Sequence, residues 1–376
     1  MKIAVVHEML IKMWWAENVV KDILELYPEA DLYTLIYDEK KVEKMFPIGS
    51  VKHVPKLTQS MFRFFKHQRF ALPFMARAVE SLDLSQYDLV IASSSSFAHW
   101  CITKPETLFV VYYHTPSRYL WDWTFENRKD MSYWKIFKKL LLIFLDFIFH
   151  SLRIWDYQAW QRWDIIIANA RQVQQRIKKY YRRDSQIIYP GVYSDIFSIW
   201  EKTLKERDYY VIVSALTEFK KIDIAIRAFN NMTNFRLIVI WDWFHRKHLE
   251  SIAWPNIEFL WYKHWEFSAE IYKNARWSIM CNKDDFWIVP VEAMCAWIPV
   301  FGLRDWGLVE TNVEWLSWEF FNDPNWIDFI SKFKVFHQNI EDWKYDRIKI
   351  RNHALKFSKE RFLQEFKNVV DENIKR

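Results

Sequence analysis

Short apolar runs alternate with stretches in which apolar residues recur every three or four positions, along nearly the whole chain. The runs "KIAVVH" (2–7), "DLYTLIY" (31–37), "YDLVIASSS" (87–95), "TLFVVYYH" (107–114) and "DIIIANA" (164–170) are rich in β-branched and aromatic residues, so each predicts a buried strand. A second series follows "IIYPGVYSDIF" (187–197): "YYVIVSAL" (209–216), "FRLIVIWD" (235–242), "NIEFLWY" (256–262), "WSIMCN" (277–282) and "IPVFGL" (298–303). Between strands the period becomes helical; in "KIDIAIRAFNNM" (221–232), Ile222, Ile226 and Phe229 share one face. Strands alternating with helices build parallel sheets covered by helices. Two such series, separated by a Pro-Gly turn, predict an α/β protein of two Rossmann-like domains, residues 1–190 and 191–355. The charged, amphipathic C-terminus predicts one or two helices, with 356–376 returning to the first domain.

At 376 residues the chain is long enough for two domains that each bury a core. About half of it is apolar, 27% is charged, and no long low-complexity run occurs, which excludes disordered, collagen-like and mucin-like chains. The opening "MKIAVVHEML" reads as a first strand rather than a signal peptide, so a cytoplasmic location is expected. Cys101, Cys281 and Cys295 are widely spaced and form no CxxC pairing with His, which favours reduced core thiols over disulfides or a zinc site. A net charge of +6 suits phosphate ligands or anionic lipid. Lys and Arg are dispersed rather than striped, so no nucleic-acid partner is expected.

Two segments bear on membranes. "MFRFFKHQRFALPFMARAV" (61–79) interleaves Arg63, Lys66, Arg69 and Arg77 with five phenylalanines, and "WKIFKKLLLIFLDFIFHSLR" (134–153) is apolar but interrupted by Asp146. Both are poor spans, because a span needs about 20 mostly apolar residues. An interfacial, peripheral contact through 61–79 is one expectation, and helices packed on the first sheet the other.

Composition holds one anomaly. Glycine at its ordinary ~7% would supply roughly 26 residues, yet the chain has 4 Gly and 23 Trp. Many of the tryptophans stand in hydrophilic turn contexts, such as "WDWFHRK" (241–247) and "LWYKHWEFS" (260–268), where glycine reaches positive φ without steric cost. A conceptual translation reading UGA as Trp, where the source organism reads Gly, accounts for both numbers.

Candidate chemistry concentrates at "DDFWIVPVE" (284–292). Pro290 suits the first turn of a helix, where its missing N–H would have been unpaired. The residues around it, Trp287, Ile288 and Val289, then offer backbone N–H groups to an anion at a helix start. A glycine at 287 would allow close approach, and Asp284 and Glu292 supply carboxylates that accept from vicinal hydroxyls. On its own the segment reads more readily as a capped helix beside a solvated acid.

Further along, the residues form a recognisable set. "DDFWIVPVEAMCAWIPV" resembles the acidic-x7-Glu element of the retaining glycosyltransferase family 4, more closely still with Gly at 287 and 297. "MWWAENVV" (13–20) resembles that family's GGAE loop, with Trp14 and Trp15 in the glycine places. "SSSSFAHWCITKP" (93–105) leading into "YYHTPSRYLWD" (113–122), "VSALTEFKKIDIAIRAFN" (213–230) and "LRDWGLVET" (303–311) match other elements in order. The HTP-x-RY-x-WD string with "LRIWD" (152–156) is most similar to the mannosyltransferase branch that builds O-antigen and capsule polysaccharides. Trp121 and Trp155 match family tryptophans.

The resemblance implies a GT-B fold of two facing Rossmann-like domains, with the C-terminal one binding a nucleotide-sugar and the N-terminal one an acceptor. It implies no metal and no cofactor. Lys220, assisted by Lys221, is placed at the leaving diphosphate, His114 and Asp284 at the reacting sugar, Glu292 at the ribose, Glu310 near the nucleotide and Arg118 on the acceptor side. Ala215 stands where many relatives carry an arginine, and Asp284 where they carry Glu. The chemistry expected is transfer of a hexose, mannose favoured and GDP-mannose the preferred donor, to a lipid-linked or polysaccharide acceptor, with phosphate departure stabilised by cations and amides. The rival reading is a non-catalytic GT-B protein that only binds the nucleotide-sugar. A dehydrogenase is weaker, since even with glycines restored the first strand is followed by GGAE rather than GxGxxG.

Overall fold

Every run singled out by the alternation is a strand. The computed structural model describes residues 1–11, 15–47, 49–118, 120–122, 138–197, 206–241, 244–261, 265–282, 285–286, 288–313, 316, 318–342 and 345–374. It comprises two compact units, Met1–Tyr189 with Phe362–Arg376, and Pro190–Arg361. In the first unit β1 (Ile3–Leu10), β2 (Asp31–Tyr37), β3 (Val51–His53), β4 (Leu89–Ser94), β5 (Leu108–Tyr113), β6 (Ile165–Ala168) and β7 (Gln186–Ile187) lie in the order β3-β2-β1-β4-β5-β6-β7. Every neighbouring pair is parallel. In the second unit β8 (Tyr209–Val213), β9 (Arg236–Ile240), β10 (Ile257–Leu260), β11 (Ala275–Met280), β12 (Val300–Leu303) and β13 (Trp318–Phe321) lie in the order β10-β9-β8-β11-β12-β13, again all parallel.

The strands absent from the sequence expectation are β3, β7 and β13. Each is at a sheet edge and two to four residues long, too short for an apolar run to stand out. The central strands are buried along nearly their whole length, as in β4 and β8, which is why they read as continuous apolar runs.

Helices close both sheets. In the helix Ile222–Asn230 the residues Ile222, Ile226 and Phe229 are all buried. The last helix, Lys359–Ile374, buries Phe362, Phe366 and Val370 at i, i+4 and i+8. These three join the first unit's core with Val5, Ile91, Val110 and Tyr112. Fully burying such side chains stabilises by roughly 1.5–3 kcal/mol each, which fixes the C-terminus to the N-terminal sheet. Cys101, Cys281 and Cys295 are free thiols in the cores, and burial pushes the Cys295 thiol up to about 12. No helix among the described residues is long and apolar enough to cross a membrane.

One glycine marks a close crossing. A Cβ on Gly191 would lie 2.6 Å from Lys359 Cα, at the point where Val192 N–H donates to Phe357 O at 2.9 Å. Two tryptophans occupy backbone that favours glycine: Trp241 at φ 141° and Trp297 at φ 65°.

Candidate functional site

In both sheets the strand order reverses once. Neighbours run β2-β1-β4 in the first and β9-β8-β11 in the second, so consecutive crossovers leave opposite faces. The carboxyl ends of the strands at such a reversal are where α/β sheets take their ligands. Most of the described candidates lie on the segments that leave this edge.

In the second unit β8 leads through Ala215 into a turn, Glu218–Lys220, and then the helix Ile222–Asn230. Lys221 caps that helix in a left-handed conformation, φ 53°, exposed. Lys220 is half-buried, with Nζ 5.3 Å from the Phe219 ring centre. β11, the neighbour of β8, leads to the helix Ile288–Cys295. The two segments converge: Asp223 is close enough to Cys281 to add to the burial that raises its thiol pKa. Ile288 and Val289 open the helix and Pro290 sits in its first turn, so the first N–H groups have no intrahelical acceptor. Asp284 and Trp287 lie outside the described residues.

Glu292 is 4% exposed, and burial raises its carboxyl pKa from 4.5 to about 8. Among the described residues no side chain bonds or pairs with it. The expectation of a resting ionised carboxylate is therefore corrected: near neutral pH the group is largely protonated, because the cost of desolvating its charge is not offset by a partner. A protonated carboxyl both donates and accepts, and still suits a pair of hydroxyls. The far end of the same helix is held by Arg351, whose Nη1 donates to Cys295 O at 2.6 Å and Phe197 O at 2.9 Å. A cation there complements the negative end of the helix dipole. Glu310, half-buried, is carried by the helix Trp306–Thr311, which follows β12 along the same edge.

In the first unit His114 directly follows β5 and is buried. Its Nε2 is 2.8 Å from Ser93 Oγ, and its Nδ1 is buried with no hydrogen-bond partner. Burial, with His7 adding to it, lowers its pKa to about 3, so the ring is neutral under ordinary conditions. It can accept from or donate to a hydroxyl but cannot serve as a cationic acid near neutral pH. Trp15 packs edge-on against it, ring centres 5.3 Å apart. The expectation that Trp15 lies in a loop is corrected: it is the first residue of the helix Trp15–Leu26, because the helical pattern of 16–26 reaches back one residue. Trp14 lies outside the described residues. Arg118, half-buried, donates from Nε to Thr115 Oγ1 at 3.4 Å, and Arg176 reaches the same hydroxyl at 3.5 Å.

Sequence reasoning missed the groups that hold this edge in place. Glu8, buried at the end of β1, accepts from Ser95 N–H at 2.7 Å and Ala98 N–H at 3.4 Å. Asp156, wholly buried, accepts from His99 Nε2 and Trp100 Nε1 at 2.8 Å each, from Trp121 Nε1 at 2.7 Å and from Tyr181 OH at 2.6 Å. It thereby ties the segment after His114 to two helices. "LRIWD" contained this aspartate, but nothing in its spacing announced four donors. Asn169, one residue beyond β6, is buried with both amide atoms unpartnered.

A cavity of about 530 Å³ lies elsewhere, between Thr233–Arg236 and Pro255–Glu258. Those residues lead into β9 and β10 at their amino ends, the edge opposite the candidates.

Comparison with known proteins identifies what this arrangement resembles. Residues 16–195 match the family described as Glycosyltransferase Family 4. No curated protein is significantly similar in sequence. Among solved structures, Anabaena HepE in complex with UDP and glucose is similar with a TM-score of 0.71 at 14% identity, over 99% of each chain. Sucrose-phosphate synthase from Thermosynechococcus elongatus gives 0.68 at 11% over 99% of each. The lipopolysaccharide outer core galactosyltransferase WaaB gives 0.64 at 13%, over 99% of this chain and 100% of that one. The two parallel-sheet α/β units are those of the GT-B fold.

Proposed function

We propose that this glycosyltransferase, with its family 4 domain over residues 16–195, transfers a hexosyl group with retention from a nucleotide-sugar to a lipid-linked or polysaccharide acceptor in cell-surface glycan synthesis. The observation that carries the reading is the second unit's switch point. There Lys220 follows β8, and Glu292, buried and without a side-chain partner among the described residues, follows the neighbouring β11 on a helix whose first N–H groups have no intrahelical acceptor. A cation and helix-start amides suit a diphosphate, and a buried carboxyl suits ribose hydroxyls. Asp284 and Trp287 belong to this reading by the resemblance of their motif. His114, neutral, offers Nδ1 to a sugar hydroxyl; Arg118 serves the acceptor side, and Glu310 the nucleotide loop.

Mannose from GDP-mannose is the favoured donor, on the similarity of "HTPSRYLWD" to the mannosyltransferase branch. A UDP-hexose is the second reading, supported by the UDP and glucose in the Anabaena protein. The site requires no cofactor beyond the donor. The chain works at the cytoplasmic face of the membrane, in contact with it through residues 61–79. The tryptophan-for-glycine reading belongs here too: Trp241 and Trp297 hold positive φ, which supports glycine as the native residue at both. Peptide sequencing of the native protein decides that point, and Trp at 241 and 243 would refute it.

Calorimetric titration with GDP-mannose and UDP-glucose tests the donor site. Lys220→Ala is expected to weaken binding about 10- to 100-fold, the weight of a charge-assisted hydrogen bond. Unchanged affinity would remove Lys220 from the site.

A further inference from the structure

The helix Lys56–Phe65 and the turn Gln68–Phe74 that follows it present an exposed apolar surface, and the charged side chains of the segment itself are all positive. Phe64 is 81% exposed, Phe70 51% and Phe65 45%. Phe65 stacks on Phe70 with ring centres 4.4 Å apart, and Phe64 meets Phe65 edge-on at 4.8 Å. Three exposed aromatics thus form one contiguous patch. Scattered exposed apolar residues need no explanation, but a contiguous one marks an interaction surface. From Lys56 to Val79 the chain has five Lys and Arg residues and no Asp or Glu; Lys56, Arg63, Lys66 and Arg77 are exposed.

The helix cannot roll to hide these rings. Its opposite side is fastened to β2: Thr58 Oγ1 donates to Leu35 O at 2.7 Å, and the Gln59 side chain accepts from Tyr37 N–H at 2.9 Å and donates to Tyr37 O at 2.7 Å. Phe62 is buried.

We propose that this face docks on an anionic phospholipid bilayer, with Phe64, Phe65 and Phe70 entering the interfacial region and Lys56, Arg63, Lys66 and Arg77 meeting the headgroups. Charge selects the occupant. A second copy would bring two positive rims together, which repel, whereas an anionic membrane attracts each cation and accepts the rings at headgroup depth. The inference deepens the proposed transfer by naming the surface that carries the chain to a lipid-linked acceptor, and rests on that reading only for its purpose.

The test is cosedimentation of the full chain, without donor, with phosphatidylcholine vesicles that do or do not contain phosphatidylglycerol. Binding is expected only with phosphatidylglycerol, falling as salt rises. Lys56→Glu/Arg63→Glu is expected to lower partitioning at least ~25-fold, about fivefold per cation. Phe64→Ser/Phe70→Ser is expected to lower it at least about tenfold. Thermal unfolding should match the parent, since the altered groups are exposed. Absence of binding to phosphatidylglycerol vesicles, equal binding to both vesicle types, parental binding by either variant, or a concentration-dependent dimer that the variants abolish would each overturn the proposal. Because donor is absent, failure here leaves the donor-site titration standing, and failure there leaves this result standing.

Discussion

Burial leaves Glu292 with a carboxyl that sheds its proton only near pH 8. Its folded pKa is raised above the unfolded value, so the folded state binds the extra proton between about pH 4.5 and 8. The resulting stability is complete below that window and is lost as pH rises through the folded pKa. His114 has the opposite sign: its pKa is depressed to about 3, so its effect is confined below about pH 6.5. Between pH 6.5 and 8.5 Glu292 therefore acts without interference from His114. Thermal or urea unfolding across that window should show the parent losing up to about 1.4 kcal/mol per pH unit. Glu292→Gln, which removes the titration and keeps the shape, should give a flatter profile and higher stability at pH 8.5. Parallel profiles would contradict the burial argument. A residue whose replacement stabilises the empty protein is one kept for something other than folding.

At the scale of elements, the helix Ile288–Cys295 ends in a pattern that normally carries glycine. Trp297 N–H donates to Met294 O at 3.0 Å and Ile298 N–H to Ala293 O at 3.1 Å, with Trp297 left-handed at φ 65°. Trp297→Gly and Trp297→Ala both delete the ring, including its contact with Arg351, but only Gly adopts this φ freely. The Gly variant should therefore be about 1 kcal/mol more stable than the Ala variant, read from paired denaturation curves. Trp241, at φ 141°, should show the same order. Equal stabilities would mean that the backbone does not need glycine there. These ends were legible in advance because turn chemistry is local. So were the central strands, where burial on both faces writes continuous apolar runs, and the helix 222–230, whose period was plain. Edge strands such as Gln186–Ile187 were not legible, since two residues carry no period. Nor was the Asp156 network: its partners His99, Trp100, Trp121 and Tyr181 are 25 to 57 positions away, and only the folded chain brings them together. Glu292 was legible as a site candidate by motif, but its protonation was not, because that depends on the walls around it.

For the whole molecule, each of the two sheets has a single reversal, and most of the described candidate residues lie on segments leaving the carboxyl edges there rather than across the surface. Folding alone explains neither the buried Glu292 carboxyl, which has no side-chain partner among the described residues, nor the open Nδ1 of His114; substrates with hydroxyls to share would explain both. On the proposed reading, Ala215 in place of an arginine would leave Lys220 as the main cation for the leaving phosphate, so slow turnover is expected while binding is retained. The measurement that bears most directly on the central claim is an assay of the literal chain and the chain with glycines restored. Each is incubated with GDP-mannose or a UDP-hexose and lipid-linked acceptors, following release of nucleoside diphosphate and the anomeric configuration of the product. The account predicts sugar transfer with retention by the glycine-restored chain and none by the literal one. Donor binding without transfer to any acceptor, or an inverted product, would contradict it.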